Sequence, residues 1–333
     1  MRVLVVKTSS LGDIIHTLPA LTDAARVFPG IVFDWVAEEN FAEIPAWHPA
    51  VERVVPIAIR RWRKNIFSTL RSGEYRERRR ELNLRRYDCV IDAQGLFKSA
   101  WIARWASAPI IGLDKNSARE PLASLFYQRR IAVPWQMHAV ERVRLLFAQT
   151  LGYELPASTG DYGLDKSRFA STPADERYIV FLHGTTRADK HWPEPYWRQL
   201  CAQVTSAGYD VVLPWGNDTE HERARRIAAV SPRARVLPRM NLRELAGVLV
   251  NGCAVVAVDT GLGHLTAALD VPALSLYGPT SPTLIGAYGR NQIHLSAKAL
   301  PTPAGAMVEP RVMAPLTPQI VWQALSPLLT AET

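Results

Sequence analysis

Cysteine is scarce in this chain: Cys89, Cys201 and Cys253 are the only three in 333 residues, at unrelated spacings and among apolar neighbours. That excludes a disulfide framework and offers no zinc-site spacing, so the three read as core thiols of a protein in a reducing cytosol. Long apolar runs are missing too. No stretch reaches the about 18 apolar residues of a membrane span, and Arg2 is followed by only a short apolar segment with no cleavage-like site. Neither a transmembrane helix nor a secretory leader is expected. A Walker loop is absent and no G-x-G-x-x-G follows the first apolar run, which weakens ATPase and NAD readings. No Asp-x-Asp pair follows a strand, which argues against a metal-bridged nucleotide.

Apolar residues, in contrast, make up 48% of the chain, enough for one or two cores and incompatible with overall disorder. The net charge of +8 is local: between residues 60 and 86 eleven Lys and Arg face only Glu74, Glu77 and Glu81, so the remainder is neutral. Such a field suits an anionic partner, whether nucleic acid, a phosphorylated ligand or an acidic membrane surface. Residues 75–86 equally fit a solvated helix face. Arg60-Arg61-Trp62-Arg63-Lys64 fits that less well, because a Trp is interleaved with four cations. Lipid headgroup phosphates would suit it, and no nucleic-acid-binding module is recognisable.

Short β-branched runs alternate with amphipathic stretches, the pattern of βα units around a mostly parallel sheet. Strands are expected at 2–7, 32–37, 51–57, 87–93 and 110–113, then at 178–182, 210–214, 235–237, 255–258 and 273–277. Helices are expected at 120–130, 138–151 and 318–329, and after the opening loop, where Ile14, Ile15, Leu18 and Leu21 recur at helical spacing. Periodicity lapses over 154–177, which reads as an interdomain connection. The expected organisation is α/β: a domain at 1–153, a linker at 154–177, a second domain at 178–316, and a closing helix and tail at 317–333. Two doubly wound, Rossmann-like halves facing a central cleft would place the ligand there.

Two loops look built for phosphate. In VAVDTGLGHLTAAL an apolar strand ends at Asp259, and Thr260-Gly261-Leu262-Gly263-His264 turns into an apolar helix. Small residues let a ligand approach the backbone, and the helix start favours an anion. An ordinary βα turn capped by Asp259 has the same pattern. In FLHGTTRADKHWPEPYW, Thr185 and Thr186 offer hydroxyls and Lys190 a point charge suited to a pyrophosphate, although a polar surface loop also fits. Asp218, Glu220 and Glu222 of LPWGNDTEHERA could meet ribose hydroxyls or only a helix dipole. The opening loop, KTSSLGDIIHTLPAL, holds one glycine and an acid, Asp13, where phosphate would be repelled. An acid opposite a phosphate site is a candidate general base for a hydroxyl nucleophile; a helix cap is the competing reading.

Together the segments VKTSSLGDIIHTLPAL, FDWVAEE, AIRRWRK, VIDAQGL, AREPLASLFY, HAVER, TTRADKHWP, LPWG, VDTGLGHLTAAL and YGPTSP resemble the ADP-heptose:lipopolysaccharide heptosyltransferases, two-domain GT-B glycosyltransferases. TSSLGD, HTLPAL and RRWRK resemble the branch that adds the first heptose. The resemblance implies transfer of L-glycero-D-manno-heptose from ADP-heptose to the inner Kdo of Kdo2-lipid A, with inversion, by a peripheral protein on the anionic cytoplasmic face of the inner membrane. It implies a donor site of Thr185, Thr186, Lys190, Glu220, Met240, Asp259, Thr260, Gly261 and His264. Met240 and the ribose role of Glu220 rest on the resemblance alone. It also implies Asp13 as base, Lys190 as a catalytic cation in place of a metal, and an acceptor side of Ser9, Ser10, Arg60, Arg61, Arg63, Lys64 and Arg119. No cofactor, metal or nucleic acid is implied, and the tail after Ala297 does not match. The rival expectations are a GT-B transferase using another nucleotide sugar, and a non-catalytic nucleotide- or nucleic-acid-binding protein.

Overall fold

The near-continuous apolar runs become inner strands of two parallel sheets, as expected for strands covered on both faces. A computed structural model describes residues 1–64, 71–170, 177–303, 305 and 307–330. Parts of the basic stretch (65–70), of the expected linker (171–176) and of the tail lie outside these. The chain divides into two compact units, Met1–Leu164 and Asp165–Thr333. In the first, β1 (Arg2–Val6), β2 (Val32–Glu38), β3 (Val51–Ile57), β4 (Cys89–Asp92), β5 (Ile110–Leu113) and β6 (Arg129–Ile131) lie in the order β3-β2-β1-β4-β5-β6. In the second, β7 (Tyr178–Leu182), β8 (Asp210–Leu213), β9 (Ala234–Val236), β10 (Ala254–Val258), β11 (Ala273–Tyr277) and β12 (Gln292–Ser296) lie in the order β12-β11-β10-β7-β8-β9. Every neighbouring pair is parallel.

Counted from its own first strand, the second order is the first read from the other end. Both sheets therefore have the doubly wound topology, and in each the strand order reverses beside the first strand, at β1/β4 and at β7/β10. Ligands of such sheets bind outside the carboxyl ends of the strands at that reversal. In the second unit the core is built around Phe181, Trp192, Trp197, Leu200 and Leu274, and the closing helix Pro318–Thr330 adds Val321 and Leu325. Trp192 Nε1 donates to the Leu316 carbonyl at 2.7 Å, tying the segment before that helix to the core. Cys201 is buried and Cys89 and Cys253 partly so.

Three expectations differ from the structure. Residues 120–130 do not form an α-helix: a 3-10 helix, Pro121–Phe126, leads into β6. Tertiary pairing overrides local pattern here, since Tyr127 is buried with its hydroxyl on Asp92, and Arg129–Ile131 completes the sheet beside β5. The edge strands β6 and β12 were not anticipated. Their sequences, RRI and QIHLS, lack an apolar run because an edge is only partly covered.

Residues 154–164 pack within the first unit. Asp161 pairs with Arg26, and Gly163, at φ +65°, passes so close to His48 that a Cβ would lie 2.7 Å from its Nε2. His48 is buried, accepts from Ala50 N at Nδ1 (3.1 Å) and sits 3.0 Å from Thr22 Oγ1. Burial pushes its pKa from 6.5 down to about 4, against the opposing pull of Asp161. The unfolded chain therefore takes up the proton first as pH falls, so this contribution is complete above pH 6.5 and is lost towards pH 4. We expect about 2 kcal/mol of it to disappear between pH 7 and 5. Urea midpoints at the two pH values should separate less in His48→Gln than in the parent, and equal separations would refute the assignment.

Candidate active site

At the carboxyl end of β1 the chain enters the short helix Leu11–Ile15 with Ser10 at its N-cap. Asp13 Oδ2 accepts from Ser10 N at 2.7 Å and from Ser10 Oγ at 2.8 Å. The capping arrangement weighed from sequence is thus present, with Asp13 as the reaching-back acid rather than the cap itself. Gln94, beyond β4, shapes the loop before it: Oε1 accepts from Thr8 N (2.9 Å) and Ser9 N (3.2 Å), while Nε2 donates to the Ser9 carbonyl (2.6 Å). Gln94 is itself placed by Asp92, whose Oδ1 accepts from the Gln94 backbone N at 2.9 Å. Asp92 is fully buried, and burial raises its pKa against the bonds from Tyr127 (2.7 Å) and Ser99 (2.9 Å).

Lys7 lies between these acids and donates to the Ala93 carbonyl at 2.8 Å. Burial lowers its pKa; Asp13 and Asp92 oppose that, and Arg142 and Arg119 add to it. Five charged groups therefore share one field at the β1/β4 edge. Arg119 is exposed. Arg142 stacks 3.8 Å above the Trp135 ring, donates to the Ser117 carbonyl at 2.7 Å, and has a buried Nε without a hydrogen-bond partner.

The RRWRK segment forms the helix Ile59–Lys64. Its Trp62 is not presented to a partner: it is buried, donates Nε1 to Glu74 at 3.0 Å and packs beside Trp105. Arg61 is held by Glu74 (2.8 Å) and Glu39 (3.1 Å), and its hydrogen bond pushes the Glu74 carboxyl down to about 2. Arg60 lies 5.4 Å from the Phe41 ring, and Arg60, Arg63 and Lys64 are exposed.

In the second unit both anion-type loops leave adjacent strands, β7 and β10. Asp259 is their junction. Its Oδ2 accepts from Lys190 Nζ at 2.6 Å and from Thr280 Oγ1 at 2.7 Å, and its carbonyl accepts from Thr185 Oγ1 at 2.9 Å. The Asp259 carboxylate thus bonds sideways, and Thr260 holds the N-cap position of Gly261–Ala268. His264 lies buried in the first turn. Thr186 is exposed beside Thr185. Glu220 belongs with this loop: its carboxylate accepts from Gly216 N at 2.8 Å and lies where a Cβ on Gly184 would come within 2.7 Å of it. Met240 stands half-buried just before the Asn241-capped helix Leu242–Val250, with no described contact to Asp259 or Lys190.

Sequence reading passed over Lys7, Gln94, Arg142 and Thr280. Each lies inside a segment already noticed, VKTSSLGD, VIDAQGL, HAVER and YGPTSP, so the signal was membership in a motif rather than any local chemical pattern.

Residues 75–310 match the model of Glycosyltransferase family 9 (heptosyltransferase). The chain is 62% identical over 298 residues to lipopolysaccharide heptosyltransferase 1 of Pseudomonas aeruginosa, covering 89% of this chain and 84% of that protein. It superposes on E. coli heptosyltransferase WaaC with ADP at TM-score 0.90 and 51% identity, covering 98% of this chain and 100% of that one. On E. coli heptosyltransferase WaaC with ADP-2-deoxy-2-fluoro heptose the TM-score is 0.87 at 49% identity, covering 98% and 99%. The two doubly wound sheets are thus the α/β, GT-B fold of those structures. With a family model spanning most of its length and more than half its residues shared with a heptosyltransferase, this chain belongs to glycosyltransferase family 9, the heptosyltransferases.

Proposed function

We infer that this glycosyltransferase moves L-glycero-D-manno-heptose from ADP-heptose to the inner Kdo of Kdo2-lipid A in lipopolysaccharide core assembly. The observation that carries the reading is the full-length likeness, at 51% identity, to an E. coli heptosyltransferase whose structure holds ADP. Thr185, Thr186, Lys190, Asp259, Thr260, Gly261 and His264 hold the pyrophosphate and sugar, while Glu220 and Met240 hold ribose and adenine. The Lys190–Asp259–Thr185 junction and the helix start at Gly261 support this, since they set a cation and backbone N–H groups at one strand edge.

The reaction is a direct displacement with inversion. Asp13 takes the proton of the Kdo hydroxyl as its oxygen bonds to the anomeric carbon and the bond to ADP breaks. Lys190 meets the charge growing on the departing diphosphate. Ser9, Ser10, Arg60, Arg61, Arg63, Lys64 and Arg119 serve the anionic acceptor, and Arg142, which donates to the Ser117 carbonyl while its Nε has no partner, joins them. No helix among the described residues is long and apolar enough to cross a membrane. The protein acts peripherally, at the cytoplasmic face of the inner membrane, and not on nucleic acid.

The test is ADP release from ADP-heptose with Kdo2-lipid A, with the product's anomeric configuration read by NMR. Release should require both substrates and give a configuration opposite to the donor's. Retention, or equal turnover of another nucleotide sugar, would overturn the reading.

A further inference from the structure

Four of the chain's exposed large apolar side chains lie on two elements packed together in the first unit: Phe97 (50% exposed), Trp101 (48%), Leu122 (64%) and Leu125 (68%). Phe97 and Trp101 are four residues apart on the helix Phe97–Ala103 and share a face; Leu122 and Leu125 are three apart on the 3-10 helix Pro121–Phe126, where that spacing eclipses. Phe97 meets Phe126 edge to face at 5.2 Å. The opposite face of that helix buries Ser99, Ala100, Ile102 and Ala103, and although Trp101 also meets the core residue Trp105 edge to face at 5.1 Å, about half of Phe97 and Trp101 and more of the two leucines stay outside the core. A contiguous apolar face of this kind marks an interaction site.

Its rim is cationic. Lys98 lies on the same helix and Arg119 two residues before the 3-10 helix, while Arg104 lies 5.8 Å from the Phe126 ring and Arg130 donates to the Ser124 carbonyl, which leaves its charge uncancelled. Glu120, beside these cations, accepts from Phe97 N at 2.7 Å. We propose that this face seats the first unit on an anionic phospholipid bilayer, the aromatic and leucine side chains entering the interfacial layer and the cations meeting headgroup phosphates.

The inference rests on the reading of a lipid-borne acceptor and adds where the lipid surface lies. Gln94, which shapes the Ser9 backbone, precedes Phe97 by three residues, and Arg119 shares the field of Lys7 and Asp13. A sugar projecting from the bilayer beside this face is therefore delivered to the β1 edge. The RRWRK helix suits the role less, with Trp62 inside and Arg61 bound by two acids. A second copy of the chain is disfavoured as occupant, because a two-fold contact sets one cationic rim against its equal.

The experiment is co-sedimentation with vesicles of phosphatidylethanolamine and phosphatidylglycerol, against phosphatidylcholine alone, together with transfer to vesicle-embedded and to deacylated, water-soluble acceptor. The parent should prefer the anionic vesicles. Leu122→Ser combined with Leu125→Ser should bind them at least about tenfold more weakly and lose transfer to embedded acceptor in step, with soluble-acceptor transfer unchanged. Lys98→Glu with Arg104→Glu, which spares the apolar face, should abolish the anionic preference. The proposal is overturned by parent binding equal on both vesicle types, by unchanged binding of both variants, or by a concentration-dependent dimer in lipid-free buffer that the leucine variant dissolves. If the parent binds anionic vesicles yet transfers to neither acceptor, the functional reading fails instead.

Discussion

Replacing Asp13 with Asn should lower heptosyl transfer by about 10²–10⁴-fold, the usual worth of a positioned general base, with ADP affinity and melting temperature near those of the parent. The contrast between rate and stability is the informative part. Asp13 also serves the helix start, where its Oδ2 accepts from Ser10 N and Ser10 Oγ. Asn keeps an oxygen for both donors, and even outright loss of a cap costs only about 1 kcal/mol. A residue that merely capped the helix would pass through this substitution with its rate intact. Asn cannot take a proton from a sugar hydroxyl, so a base would not. The measurement pairs kcat from ADP release with ADP titration calorimetry and thermal unfolding. An unchanged kcat would remove Asp13 from the mechanism, and a parallel fall of kcat and melting temperature would return it to capping alone.

Lys190→Ala should reduce kcat by about 10²–10³-fold, the scale seen when one donor to a developing negative charge is removed. It should also destabilise the second unit, because the nearly buried Asp259 carboxylate would keep Thr280 but lose its cation at 2.6 Å. The two effects separate in a second background. Asp259→Asn removes the orphaned charge, so Lys190→Ala combined with Asp259→Asn should regain stability relative to Lys190→Ala while transfer stays low. Recovery of transfer along with stability would mean that Lys190 acts only by holding Asp259 in place.

The fold was largely legible because strands buried on both faces leave near-continuous apolar runs; Val3 to Val6 and Ala254 to Val258 are buried throughout. Where one side of a strand is uncovered that signal fades, and β6 and β12 went unseen. At the site, sequence reading found the groups whose chemistry is local: the Thr185 and Asp259 loops each sit within a few residues of their own strand end. It could not find Gln94, whose partner Ser9 is 85 residues away. Nor could it see that Glu74 and Glu39 claim Arg61, at separations of 13 and 22. A charge count along the chain shows cations, while only folding shows which are already neutralised. Trp62 misled for the same reason, since interleaving with Arg says nothing about which way the ring turns.

In the acceptor role proposed for the opening loop, the grip of Gln94 carries a thermodynamic consequence. A loop of this kind ordinarily loses backbone freedom when its ligand arrives, at roughly 1–2 kcal/mol for each residue fixed. Here three hydrogen bonds between the Gln94 side chain and the backbone hold Thr8 and Ser9, anchored in turn on Asp92 inside the sheet. That ordering entropy is surrendered during folding, so a sugar bound at this loop, as proposed, would be relieved of it. Gly12, the one glycine of this segment, lies within the helix Leu11–Ile15, so the loop before it takes its shape from a distant side chain without the conformational licence that glycines would provide.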